Sequence, residues 1–130
     1  MGAVVWYADW QMECCGEPFE LGDRVTWTVE EADDREWLPA ALGPDHAATV
    51  THLEEHHAQD ESRLLTLTGF VTKITGAWCA YGPRHVGDDT SYPTPGTERF
   101  VDLYGSHDLE GQPAAGQSFN GWLVELDTDD

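Results

Sequence analysis

RLLTLTGFVTKITGAWCAY, residues 63–81, decides the fold. Leu65 and Leu67 share one parity, whereas Phe70, Thr72 and Ile74 share the other. Successive side chains of a strand point to opposite faces, so a change of phase inside one β-prone run requires an extra residue or a break. Gly69 stands at the change, and a bulge there bends a long strand, a common device for closing a small barrel. The run therefore predicts one strongly curved strand at the centre of a mainly β protein.

The flanking sequence supplies its neighbours. Downstream, residues 98–104 and 119–127 read as two further strands, and in the second Trp122, Val124 and Leu126 alternate with Leu123 and Glu125. Upstream, RVTWTVE (residues 24–30) places Val25, Trp27 and Val29 on one face and Thr26 and Thr28 on the other, the pattern of a half-buried strand. AVVWY (residues 3–7) is apolar and β-prone. Residues 31–44, EADDREWLPAALGP, predict one or two short helical turns interrupted at Pro39 and ended by Gly43-Pro44. Residues 82–97 carry the Gly and Pro content of a loop. About six strands and little helix predict a single domain over 1–130, a small partly open or closed β-barrel of OB-like or SH3-like type.

A chain of 130 residues is long enough to bury a core without a covalent staple, and 40% hydrophobic residues, with six Trp, four Tyr and four Phe, argue against disorder. Charge is the outlying property. Twenty-five Asp and Glu oppose six Lys and Arg, a net −19, and Lys73 is the sole lysine. Such a surface repels phosphate backbones and anionic bilayers, so no direct nucleic-acid binding and no membrane association are expected; solvation and solubility account for the charge, and attraction to a basic protein partner is its functional alternative. A salty cytoplasm would select the same balance. The apolar start is broken by Asp9 and lacks a basic flank, and no segment approaches a membrane span, so a cytoplasmic location is expected. Cys14, Cys15 and Cys79 are odd in number, and neighbouring cysteines bridge each other only with strain, so reduced thiols are expected.

Two stretches offer chemistry. WQMECCGEPFELGDRVTW (residues 10–27) combines paired cysteines with Gly16, Pro18 and Gly22, residues suited to a tight turn, and with Trp10, Phe19 and Trp27. Buried, these aromatics plug a barrel mouth. Exposed, they form a patch for a partner, which makes Trp10, Phe19 and Trp27 the candidate partner-binding residues. His52-Leu53-Glu54-Glu55-His56 matches the H-x-x-E-H pattern of inverted zinc peptidases, whose helical spacing brings both imidazoles together. The β-branched Val50 and Thr51 before it favour a strand instead, with Thr49, Thr51 and Leu53 on one face and Val50, His52 and Glu54 on the other. Zinc is thus the possible cofactor, and His52, His56, Cys14 and Cys15 are its candidate ligands, although no C-x-x-C pair sets the usual bite. Cys79 and His85 are six residues apart and would need spatial adjacency to act as nucleophile and base.

No phosphate-binding glycine loop and no G-x-S-x-G elbow occurs, and carboxylates are too numerous for any pair to single itself out as an acid and base. No catalytic residue is assigned. The pattern Trp10-x3-Cys14-Cys15-Gly16-x-Pro18-Phe19-x2-Gly22-Asp23-x-Val25-x-Trp27, with Gly69-Phe70-Val71-x2-Ile74 and Gly121-Trp122-Leu123-Val124-x-Leu126, resembles a family of small, acidic, uncharacterised proteins of actinobacterial type. That resemblance implies shared architecture and no activity. The expected role is a non-enzymatic acidic binding module for a protein partner. The alternatives are a metal-binding protein or metal-dependent enzyme using residues 52–57, and an inhibitor or immunity protein against a basic nuclease.

Overall fold

A computed structural model describes residues 2–9, 17–31, 42–54, 64–83, 86–87, 90–94, 96–107 and 117–128. Each alternating run forms a strand: β1 (Gly2–Ala8), β2 (Arg24–Glu31) and the 15-residue β4 (Leu65–Cys79). Between β2 and β4 lie a four-residue helix, α1 (Pro44–Ala47), and the short β3 (His52–Glu54). After β4 come β5 (Tyr81–Gly82), β6 (Tyr92–Pro93), β7 (Arg99–Leu103) and β8 (Ser118–Thr128).

The strands run in the order β2-β3-β1-β8-β4-β7, and a further pairing of β2 with β4 closes five of them into a barrel, with β7 alongside. All contacts within this sheet are antiparallel except β1 with β3, so the barrel is not a simple meander. The length of β4 makes closure possible. Its first residues pair with β2, its last with β7, and β8 accompanies it from Gly69 to Cys79.

Alternation then sorts side chains into two layers. Inside the barrel Val5, Tyr7, Val29, Val71, Ile74, Trp78, Trp122, Val124 and Leu126 form the main core, with Phe19 and Leu103 contributed from beside it. Side chains of opposite parity, including Trp6, Leu53, Ala77 and Leu123, make a second cluster on the outer face, covered by Leu42 and Val50 at either end of α1. Burying a large aliphatic side chain stabilises by roughly 1.5–3 kcal/mol, so both layers matter to folding.

Four local expectations need correction. The phase change in β4 occurs at Thr72, not Gly69: Val71 pairs with Leu126 and Lys73 with Glu125, leaving Thr72 as the extra residue. Phe70 consequently faces solvent and is 44% exposed. Gly69 serves a different need, since a Cβ there would stand 2.8 Å from the Asp127 carbonyl oxygen. Gly43-Pro44 opens a helix where it was expected to end one; the ring of Pro44 presets φ at the first helical position, where no amide partner is required. Val50 shares the outer cluster with Leu53, because its amide still bonds the Ala47 carbonyl and extended alternation starts only at His52. Finally, the predicted loop of residues 82–97 contributes a small hairpin, with Tyr81 opposite Pro93 and Gly82 opposite Tyr92. Most of residues 31–44 lie outside the described residues.

Candidate binding groove

The segment leading into β2 is fastened at several points. Phe19 N–H donates to Ser106 Oγ at 3.0 Å, and Ser106 N–H returns a bond of 2.8 Å to the Phe19 carbonyl. Leu21 N–H donates to the Tyr104 carbonyl and Gly22 N–H to the Val71 carbonyl, both at 2.9 Å. Asp23 closes the turn by accepting the Glu20 N–H at 3.0 Å. Gly22 has φ +90°, a left-handed conformation open to glycine at little cost. Residues 19–23 are thereby held against β4 and the end of β7.

This clasp drives Phe19 into the aromatic end of the barrel. Its ring centroid lies 5.1 Å from Trp27, 5.7 Å from Tyr7 and 5.8 Å from Trp122. Tyr7 meets Trp27 edge-on at 5.2 Å, and Trp122 continues the cluster to Phe119 at 4.9 Å. Edge-to-face geometry at these separations stabilises beyond simple area burial. Phe19, Tyr7 and Trp122 are buried, whereas Trp27 stays half-buried. Trp122 Nε1 is buried with no acceptor among the described residues.

The half-exposed side of this cluster borders a groove of about 590 Å³. Tyr7, Pro18, Phe19, Val25 and Trp27 supply apolar wall, while Glu17, Asp23 and Glu54 supply carboxylates against a single lining guanidinium, that of Arg24. Glu54 arrives there by register. It pairs across the sheet with Val29, whose side chain is in the barrel core, so alternation turns Glu54 inward as well. Only 6% of Glu54 is exposed. An acidic, aromatic-walled recess of this kind suits an organic cation.

Of the residues singled out from sequence, Phe19 and Trp27 meet at the groove, the first buried and the second lining it. Trp10, Cys14, Cys15 and His56 lie outside the described residues. His52 is half-buried in extended β3, with Nδ1 2.8 Å from Thr51 Oγ1. No group of three His, Cys, Asp or Glu placed to hold a metal occurs among the described residues. Tyr7 and Glu54 were not singled out as binding residues from sequence; the usable signal was parity, which puts Tyr7 with Val5 and Glu54 opposite the outward-facing Leu53.

Cys79 is buried beside the β5 hairpin, where Asn120 Nδ2 donates to its Sγ at 3.2 Å and Tyr81 hydroxyl donates to Asn120 Oδ1 at 2.5 Å. Partial burial, then the neighbouring Cys79, push the Tyr81 pKa up to about 12. His85, the base that a nucleophilic Cys79 would need, lies outside the described residues. On the outer face a second recess of about 450 Å³ contains Lys73, Asp102 and Glu125 beside a His46–Phe100 stack with centroids 3.7 Å apart.

Fold and groove together define a small closed β-barrel with an aromatic, acidic recess at one side. The chain belongs to a family of unknown function, DUF6578, whose pattern covers residues 1–128. No curated protein and no solved structure matches it. No helix among the described residues is long and apolar enough to cross a membrane.

Proposed function

We propose that the protein is a non-enzymatic binding module for a basic protein partner. One observation carries the reading: the groove beside β2 joins accessible aromatic surface to three carboxylates, in a chain of net charge −19. The long-range field would speed encounter with a cationic surface, and the recess would give the encounter a place to end. We extend the proposal to the family as an acidic group of actinobacterial type. Its support is this chain's own net charge of −19 and the resemblance carried by the motif in residues 10–27.

Affinity capture from native lysate at low salt tests this, comparing wild type with a Glu17→Lys/Thr28→Lys double variant. Both positions are exposed and line the groove, so the variant reverses rim charge without touching the core. A basic protein held by wild type, released by salt and lost in the variant is the expected result. Equal capture by both proteins, or no basic protein in either, would overturn the reading.

A further inference from the structure

The groove specifies more than a sign of charge. Resting on the binding reading above, we propose that it receives one basic side chain of the partner, its cationic head lying against Trp27 and neutralised by Glu54.

The rings of Tyr7, Phe19 and Trp27 touch one another at centroid separations of 5.1–5.7 Å, so they form a continuous wall with no gap for a ligand between them. Trp27 is the member with accessible surface, and indole is the ring that attracts cations most strongly. A hydrocarbon stem can lie along the accessible part of Trp27, which the buried Tyr7 and Phe19 hold in place, and bury methylenes while the head keeps its charge. Glu54 stands in the same recess with 6% of its surface exposed, which limits screening of its carboxylate by salt. Glu17 is exposed at the rim and guides a cation inward without holding it. A neutral side chain of equal length would gain the apolar contact and lose the rest. A phosphate or carboxylate would meet three carboxylates against the one guanidinium of Arg24 in the lining, a net negative charge that repels it.

Titration of the full chain with blocked tripeptides separates this site from the general acidic field. The probes are tri-lysine, tri-arginine and tri-acetyl-lysine, the last preserving the methylene stem while removing charge. Lysine or arginine peptide is expected to shift the Trp27 indole N–H resonance and to bind at least about tenfold more tightly than the acetylated peptide. Trp27→Leu leaves net charge unchanged and should weaken binding roughly five- to thirty-fold. Glu54→Gln preserves shape, should weaken it about tenfold or more, and guards against a Trp27 variant that fails to fold.

Equal binding of acetylated and charged peptides would overturn the proposal. So would full affinity in a folded Glu54→Gln protein together with an unmoved Trp27 resonance, since that pattern belongs to the diffuse field. If peptides fail in this way but the lysate partner is still captured and still lost in Glu17→Lys/Thr28→Lys, the binding reading survives and the side-chain assignment falls. If peptides bind at Trp27 while no basic protein is captured, the reverse holds.

Discussion

Phe19 and Phe70 are one side chain in two environments, 2% and 44% exposed. Phe19 is ringed by Tyr7, Trp27 and Trp122 and leaves a hole in close-packed surroundings if truncated. Phe19→Ala is therefore expected to cost about 3–5 kcal/mol, and the half-covered Phe70→Ala about 1 kcal/mol, read from urea midpoints at unchanged slope. Similar losses in both would contradict the inward and outward assignment. Tyr81 makes a different prediction at the same scale. Its folded pKa, raised to about 12, exceeds the ordinary 10.0, so the folded state holds a proton that the unfolded chain releases earlier. The resulting stability is complete below pH 10 and declines as pH rises from about 10 through about 12. Wild type should lose stability more steeply across that window than Tyr81→Phe, measured by denaturant titration at fixed ionic strength. Parallel curves would remove Tyr81 from the account. These residue-level distinctions were only partly legible in the sequence: Phe19 and Phe70 look alike there, and only the clasp around Ser106 and the position of the bulge separate them.

The long strand shows why an element can be read correctly and still be misplaced by a few residues. Two opposed parities in residues 63–81 demanded a phase change, and the curved strand followed from that requirement. Glycine was the obvious location because it bends easily, but Gly69 is needed where the Asp127 carbonyl approaches, a contact made with a strand more than fifty residues away. The extra residue falls on Thr72, whose hydroxyl donates to the Glu125 carbonyl at 3.1 Å. Deleting Thr72 should turn Ile74 and Trp78 outward, since a one-residue slip exchanges the two faces of a strand. The expected result is loss of near-ultraviolet circular dichroism and of cooperative unfolding. Thr72→Ala keeps the residue count, removes one exposed hydrogen bond and should cost about 1 kcal/mol or less. A well-folded deletion with native Trp signals would show that the phase is set elsewhere. The groove obeyed the same logic. Alternation located Trp27, whereas Glu54 entered the site through pairing of β3 with β2, a contact invisible along the chain. The β2-β3-β1 order and the clasp that seats Phe19 bring residues 7, 19, 27 and 54 together.

At the scale of the whole molecule, 25 acidic residues against six basic ones impose a repulsion that no single pair explains. The unfolded chain separates these charges and the barrel concentrates them, so self-repulsion works against the folded state. Salt shortens the reach of that repulsion to about 10 Å at 0.1 M and about 3 Å at 1 M. Raising NaCl from about 10 mM to about 500 mM should therefore increase the melting temperature by about 3 °C or more, a shift equivalent to roughly 1 kcal/mol at this chain length. The same addition should weaken binding of a lysine peptide, because the field that crowds the carboxylates is the field that attracts the ligand. Folding and binding are thus predicted to answer salt in opposite directions, and calorimetry of the free chain beside peptide titration in the same buffers measures both. The two slopes also separate near from far. Glu54, withdrawn into the recess, should retain part of its pull at high salt, so Glu54→Gln should lower the residual affinity at about 500 mM by a larger factor than Glu17→Gln does at the open rim. Equal salt sensitivity of the two variants would mean that the recess gives Glu54 no shelter, and a melting temperature that falls with salt would mean that the acidic surface is held together by attractive contacts instead of strained by its charge.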